Sequence, residues 1–218
     1  AGVISAEQGR LQVALRMIAI TGEVRLHAMR MGKIDDDEWS RVSGAVNALH
    51  GSQVWMFDKP APTLADIQRQ ARRWRYEHKI EILMVDYIQK IAGAGKDKRL
   101  EVGDVAIGLK NLGRELDIPV LALAQVNREV EKRPLGEDGM GRMPYMGDLA
   151  ESGIIEQESD QVLTLYRPEV YSEEPRFKGL AVANVCKNRH GPVGAIQMSW
   201  RGEYLKFGDL ARETQSWR

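Results

Sequence analysis

The stretch "EILMVDYIQKI" (residues 81–91) is an apolar run that ends on an acid, Asp86, and then turns polar. Near-unbroken hydrophobicity over "ILMV", with polar residues on both sides, predicts a strand buried on both faces, the habit of strands in helix-covered parallel sheets. Further along, "IPVLALAQ" (118–125) repeats the pattern and ends on Gln125, while "GVIS" (2–5) is a third β-type run two residues before Glu7. Helical patterns lie between them. Leu11, Ala14, Leu15, Ile18 and Ala19 recur at helical spacing; "TLADIQRQARRWRYEH" (63–78) opens on Thr63 as N-cap with Asp66 three residues on; "RLEVGDVAIGLKNLGRELD" (99–117) follows the Asp86 run. Strands alternating with helices predict an α/β fold, a mainly parallel sheet flanked by helices.

The remaining segments fill in that plan. A short helix is expected over 23–31, ending at Gly32. "DDDEWSRVSGAVNALHG" (35–51) has acids in its first turn and a helical apolar stripe through Trp39, Val42, Val46 and Leu49. "VWMFD" (54–58) predicts a strand before the Pro-rich turn "KPAP". After Gln125 come a polar stretch containing Gly and Pro (132–147), the segment "ESGIIEQESD" (151–160), strands near 161–166, 180–186 and 194–199, and an edge strand in "EYLKFGD" (203–209). One main domain over 1–210 and a short tail over 211–218 are expected.

Composition sets limits. At 43% hydrophobic and 28% charged residues the chain is an ordinary globular one, and no apolar run approaches the roughly 20 residues that cross a bilayer. The N-terminus carries no basic region followed by a hydrophobic signal core, so a cytoplasmic location and no membrane association are expected. The single cysteine, Cys186, has no partner for an internal disulfide and reads as a buried structural thiol. With 31 basic and 31 acidic residues the net charge is zero, so any nucleic-acid binding must be local. Basic density concentrates in "RQARRWRYEHK" (69–79), which reads as a solvated helix face, and in "NREVEKR" (127–133) and "CKNRHG" (186–191).

In open α/β sheets ligands bind beyond the carboxyl ends of the strands, which makes Glu7, Asp86 and Gln125 the informative residues. An acid at such a tip can simply cap the following turn. It can equally hold a nucleotide-bound Mg²⁺, since a hard cation prefers carboxylate and water oxygens. Glu7 would then orient or deprotonate an attacking water, and Gln125 would hydrogen-bond that water or a γ-phosphate. Lys187 and Arg189 are separated by one residue and fall on one face of an extended strand. They are either a solvated strand end before a Gly-Pro turn or a pair of cations aimed at phosphate, with Arg189 as an arginine finger toward a neighbouring subunit.

Six segments together carry a resemblance: "SAEQGRLQVALRM", "LHAMRMGKIDDDEW", "ILMVDYIQKI", "LALAQVNREVEKRP", "GDLAESGIIEQESDQVLTLYRPEVY" and "CKNRHGPVG". In this order and spacing, from about Ser5 to about Gly194, the chain resembles the C-terminal, RecA-like motor domain of the DnaB family of replicative DNA helicases. The resemblance implies a P-loop NTPase fold, ATP and Mg²⁺ as cofactors, single-stranded DNA as ligand, a homo-hexameric ring, and primase and helicase-loader partners engaged through regions outside this chain. It also implies roles: Glu7 as catalytic glutamate, Asp86 as the magnesium-holding Walker B aspartate, Gln125 as nucleotide-state sensor, and Lys187 and Arg189 as the basic pair reaching the γ-phosphate across a subunit interface. Glu151, Ser152 and Gly153 match a central-channel loop that holds DNA phosphates.

Two departures stand out. Ala150 occupies a position where the family usually has Arg, which shifts the expected grip on DNA to Arg128, Lys132 or Arg133. No G-x-x-x-x-G-K-S/T phosphate loop occurs in the 218 residues. In the family that loop, its strand and its helix precede the block matched by "GVIS", so the fold is expected without its first strand, phosphate loop and following helix, and the 218 residues alone are expected not to hydrolyse ATP. The divergent "AGVISAEQG" start and Ala150 point toward a phage or prophage source. The competing readings are a non-hydrolysing ring subunit or accessory DNA-binding module that has lost the loop, and a recombinase or clock-type RecA-fold ATPase, which the "ESGIIEQESD" and "CKNRHGP" blocks disfavour.

Overall fold

The computed structural model describes residues 1–91, 98–149 and 153–210. Among the described residues, eight strands and six α-helices follow in order: β1 (Gly2–Ser5), α1 (Arg10–Gly22), α2 (Leu26–Met31), α3 (Asp36–His50), β2 (Trp55–Phe57), α4 (Leu64–His78), β3 (Leu83–Asp86), α5 (Lys98–Leu116), β4 (Val120–Ala122), α6 (Gly153–Glu158), β5 (Gln161–Tyr166), β6 (Leu180–Asn188), β7 (Gly194–Arg201) and β8 (Lys206–Asp209). Strands β2-β1-β3-β4 form a parallel sheet, and β5-β6-β7-β8 form an antiparallel one. β8 is an edge strand, as expected for "EYLKFGD".

Local chemistry explains where the helices begin. Asp35 accepts from the Glu38 N–H at 2.7 Å while the Glu38 side chain returns to the Asp35 N–H, and Thr63 and Asp66 form the same reciprocal box at the start of α4. Gly32 closes α2 in the left-handed conformation at φ 64°. Gly2 is required for another reason: a Cβ there would lie 2.8 Å from the Trp74 ring, so glycine lets α4 approach the sheet. The basic face of α4 is compensated within the chain. Arg72 forks onto Glu115, Arg73 pairs with Glu77, and Arg75 donates to the carbonyls of Ile80 and Leu116. These partners fit the reading of "RQARRWRYEHK" as a solvated helix face.

One core joins both sheets. Ile4, Ile67, Leu83, Val85 and Leu112 are almost completely buried, and the cluster extends through Leu149 and Ile155 to Val162 of β5. Each such side chain contributes about 2 kcal/mol relative to exposure. Cys186 packs against this core only half-buried rather than fully buried as expected, its thiol beside Thr164 and Asn184.

Two expectations about burial fail. β4 is not covered on both faces: it borders the parallel sheet, and Leu121 and Leu123, which share one face, are 49% and 41% exposed because no layer among the described residues packs over that face. β5 borders the antiparallel sheet in the same way, with Leu163 and Leu165 more than half exposed. The apolar stripe of α3 also faces outward at Trp39 and Val46, while Glu38 and Ala45 take the inner face. Glu38 can do so because Arg25 forks onto its carboxylate at 2.8 and 3.0 Å. No helix among the described residues is long and apolar enough to cross a membrane.

Candidate active site

The parallel register aligns the three strand tips. Ser5 pairs with Asp86 across β1 and β3, and Val85 pairs with Ala122 across β3 and β4. Glu7 and Gln125 therefore lie just past the same end of the sheet on either side of Asp86, and the Ala6 N–H donates to the Asp86 carbonyl at 2.7 Å. The turn bearing Glu7 is held from β2's side: Asp58 accepts from the backbone N–H of Arg10 at 2.9 Å and from its guanidinium, pinning the start of α1. Glu7 and Gln125 are exposed and Asp86 is half-buried.

The electrostatics of this edge are unbalanced. Burial pushes the Asp86 carboxyl up, the negative charge of Glu7 pushes it further, and Arg16 of α1 only partly offsets this. A half-buried carboxyl raised by burial and by a neighbouring carboxylate, with no ion pair of its own among the described residues, suits an incoming positive charge. The two acids do not make a metal centre unaided, since no group of three or more His, Cys, Asp or Glu with metal-holding geometry occurs among the described residues. A hard cation held here must take its remaining oxygens from water or phosphate, which is how Mg²⁺ is bound with a nucleotide.

Gln89 escaped the sequence reading. Its Oε1 accepts the Gln125 N–H at 3.2 Å, tying the tip of β4 to the turn after β3, while its buried Nε2 has no partner among the described residues. The signal was its place in the "DYIQ" run, but nothing local revealed a bond to a residue 36 positions on.

Lys187 and Arg189 are not brought to these tips. They sit at the end of β6, and both reach the last turn of α6: Lys187 Nζ donates to the Glu156 carbonyl at 2.6 Å, and Arg189 Nη2 to the Gln157 carbonyl at 2.8 Å. Arg189 also pairs with Asp160, which binds Lys110 of α5 as well. Asp160 and Lys110 were missed; Asp160 is the last residue of the "ESGIIEQESD" block, yet only the start of that block drew a role.

Of the candidate DNA contacts, Glu151 and Ser152 lie outside the described residues, as does Ala150, and Gly153 is the exposed first residue of α6. Lys132 pairs with Glu129 at 2.6 Å. Arg133 forks onto the buried Asp148 and stacks over the Tyr145 ring, so its charge is committed to the loop before α6. Arg128 is exposed and makes no ion pair among the described residues.

Comparison with known proteins agrees with this fold. The family model described as "DnaB-like helicase C terminal domain" matches residues 1–209. The chain belongs to that family. Among curated DnaB-family relatives, the replicative DNA helicase DnaB of Geobacillus stearothermophilus is 34% identical over 96% of this chain and 46% of its own length. The replicative DNA helicase DnaC of Bacillus subtilis is 33% identical with the same coverage, so the chain spans about half the length of the curated relatives it matches. Among solved structures, one described as an ATPase domain superposes with a TM-score of 0.86 at 28% identity, covering 96% of this chain and 74% of that one. A DnaB-like replicative helicase described with its interactions with primase gives the same TM-score and identity, covering 96% of this chain and 50% of that one. The fold is thus the RecA-like α/β fold of DnaB-family ATPase domains.

Proposed function

We propose that this chain is the motor portion of a hexameric, ATP-dependent replicative DNA helicase that unwinds duplex DNA by translocating on single-stranded DNA. The observation that carries the reading is the separation of two charge sets. Glu7, Asp86 and Gln125 gather at one end of the parallel sheet with Asp86 raised, whereas Lys187 and Arg189 stand at the end of β6. A site whose acids and cations sit at different places in one subunit is completed when copies form a ring, each lending its cations to the next.

In that ring Asp86 would hold Mg²⁺, which when bound with ATP neutralises phosphate charge. Glu7, exposed beside Asp86, orients the attacking water and accepts its proton. Gln125 hydrogen-bonds the water or the γ-phosphate, its backbone steadied by Gln89. Lys187 and Arg189 stabilise charge on the transferred phosphoryl group of the neighbouring subunit. Arg128, together with Glu151, Ser152 and Gly153, is assigned to single-stranded DNA; Lys132 and Arg133 have lesser roles because carboxylates of the same chain already hold them. Primase and a helicase loader are the proposed further partners, the cytoplasm is the proposed compartment, and residues 211–218 are proposed as a tail to the 1–210 motor domain.

A second reading, a non-hydrolysing ring subunit or DNA-binding module, is favoured by one observation: the 218 residues contain no G-x-x-x-x-G-K-S/T loop to cradle phosphates. On either reading the 218 residues by themselves are proposed not to hydrolyse ATP. The readings separate in the protein as its gene encodes it. Magnesium-dependent ATP hydrolysis stimulated by single-stranded DNA, reduced by about a hundredfold or more in Glu7→Gln, supports the helicase. Turnover within about threefold of the parent would show that Glu7 is not the general base, on the ordinary worth of such a group.

A further inference from the structure

Arg189 carries the trans-acting step proposed above, yet both ends of its guanidinium are engaged inside its own chain. Nη1 lies 3.3 Å from Asp160 Oδ1, Nη2 donates to the Gln157 carbonyl at 2.8 Å, and its backbone N–H donates to the Asp160 carbonyl at 3.0 Å. The carbonyls of Glu156 and Gln157 belong to the last turn of α6, where peptide oxygens without helical partners carry partial negative charge. Asp160 lies two residues past α6, and its second carboxylate oxygen takes the ammonium of Lys110.

The arrangement binds Arg189 and also lets it leave. The side chains of Arg189 and Asp160 are each nearly half exposed, at 46% and 47%, so their contact is of the weak, solvent-screened kind. When Arg189 departs, Asp160 keeps Lys110 and is not stranded as a lone charge. The hydrogen bond from Lys110, with the charges of Arg189 and His190 beside it, holds the Asp160 carboxyl below the usual range, so the carboxylate stays ionised at neutral pH. A phosphate group bearing more than one negative charge outcompetes a carboxylate already shared with a lysine.

We propose that Asp160 is the resting dock of Arg189: a positioning residue that holds the guanidinium on its own subunit until a nucleotide phosphate in the neighbouring site draws it off, with Lys110 then taking over the carboxylate. The inference rests on the reading of Arg189 as trans-acting. It assigns opposite effects to two residues of one cluster. Removing the dock frees Arg189 for the phosphate, whereas removing Lys110 leaves Arg189 as the main cation on Asp160 and tightens the dock.

The test is steady-state ATP hydrolysis by the protein as its gene encodes it, with KM and kcat measured separately. Asp160→Asn is expected to lower KM for ATP about two- to fivefold, the worth of a half-exposed ion pair, with kcat within about twofold. Lys110→Met is expected to raise KM by a similar factor, and Asp160→Glu to restore the parental value. A structural role alone would move the first two variants in the same direction, and that result, or an unchanged KM in both, overturns the dock. If Asp160→Asn does not fold, Lys110→Met decides alone: an unchanged or lowered KM overturns the proposal. Arg189→Ala serves as the control, expected to lose about 10³-fold or more in turnover. Turnover unaffected by Arg189→Ala overturns the trans-acting reading beneath the dock, whereas a full loss there with no KM change in the other variants overturns the dock only.

Discussion

The strand tips of the parallel sheet and the corner between α6 and β6 are both built from charged side chains, and they treat charge in opposite ways. At the tips Asp86 and Glu7 face one another, and the Asp86 carboxyl is raised by burial and by its neighbour. At the corner Asp160, Lys110, Arg189 and the carbonyls of α6 satisfy one another, and the Asp160 carboxyl is lowered. Unbalanced charge clusters where something else is to be bound, whereas charge that must wait is neutralised within the chain. On the proposed ring, the contrast separates the half-site that receives from the half-site that is lent.

The contrast breaks most visibly at Asp86. Asp86→Asn is expected to cut turnover by about a hundredfold or more while raising the thermal midpoint at neutral pH. The sign follows from linkage: a carboxyl raised in the folded state burdens that state when ionised, above its folded value, and the burden fades as pH falls toward the unfolded value near about 4. The gain in thermal midpoint seen at neutral pH should therefore vanish below about pH 4. A loss of stability at neutral pH instead would mean that the tips are balanced after all.

A third cluster sharpens the comparison with a smaller effect. Glu23, just past α1, accepts from Arg201 of β7 at 2.7 Å and from Lys206 of β8 at 2.6 Å, clasping the first helices to the last hairpin. The hydrogen bond from Arg201, then that from Lys206, lowers its carboxyl from 4.5 to about 2. Its contribution is fully present above the unfolded value and is lost as pH falls through the folded one. Glu23→Gln should thus lower the thermal midpoint at neutral pH, and the difference from the parent should close between pH 4.5 and about 2. Smallest of all is the exposed pair of Arg72 and Glu115, for which Glu115→Gln should shift the midpoint by no more than about 2 °C.

Much of this was legible in the residues because it is local. The reciprocal cap at Thr63 spans only a single helical turn, the strands at Leu83 and Gln161 follow from runs and alternation, and the tip acids follow from where those runs stop. Long-range order was not legible. Whether Leu121 and Leu123 are covered depends on what packs over their face of β4, a property of tertiary assembly that the run "LALA" does not contain. Trp39 and Val46 lie on a helical face, but periodicity says only that a face exists, and the Arg25 fork put Glu38 on the inner one. Asp160 meets Arg189 across 29 residues and Arg133 meets Asp148 across 15, so "NREVEKR" read as a free basic patch although most of its charge is spoken for.

The bare flanks of β4 and β5 carry a practical consequence. Among the described residues no strand pairs with the outer edge of either, and each carries two exposed leucines, which makes them two adhesive borders on one molecule. Borders of that kind pair with whatever extended chain is nearest, and in a concentrated preparation of the 218 residues the nearest chain is another copy. Shelf life would then depend on dilution more than on temperature, and cross-β spectral signatures would report deterioration before any loss of helix did.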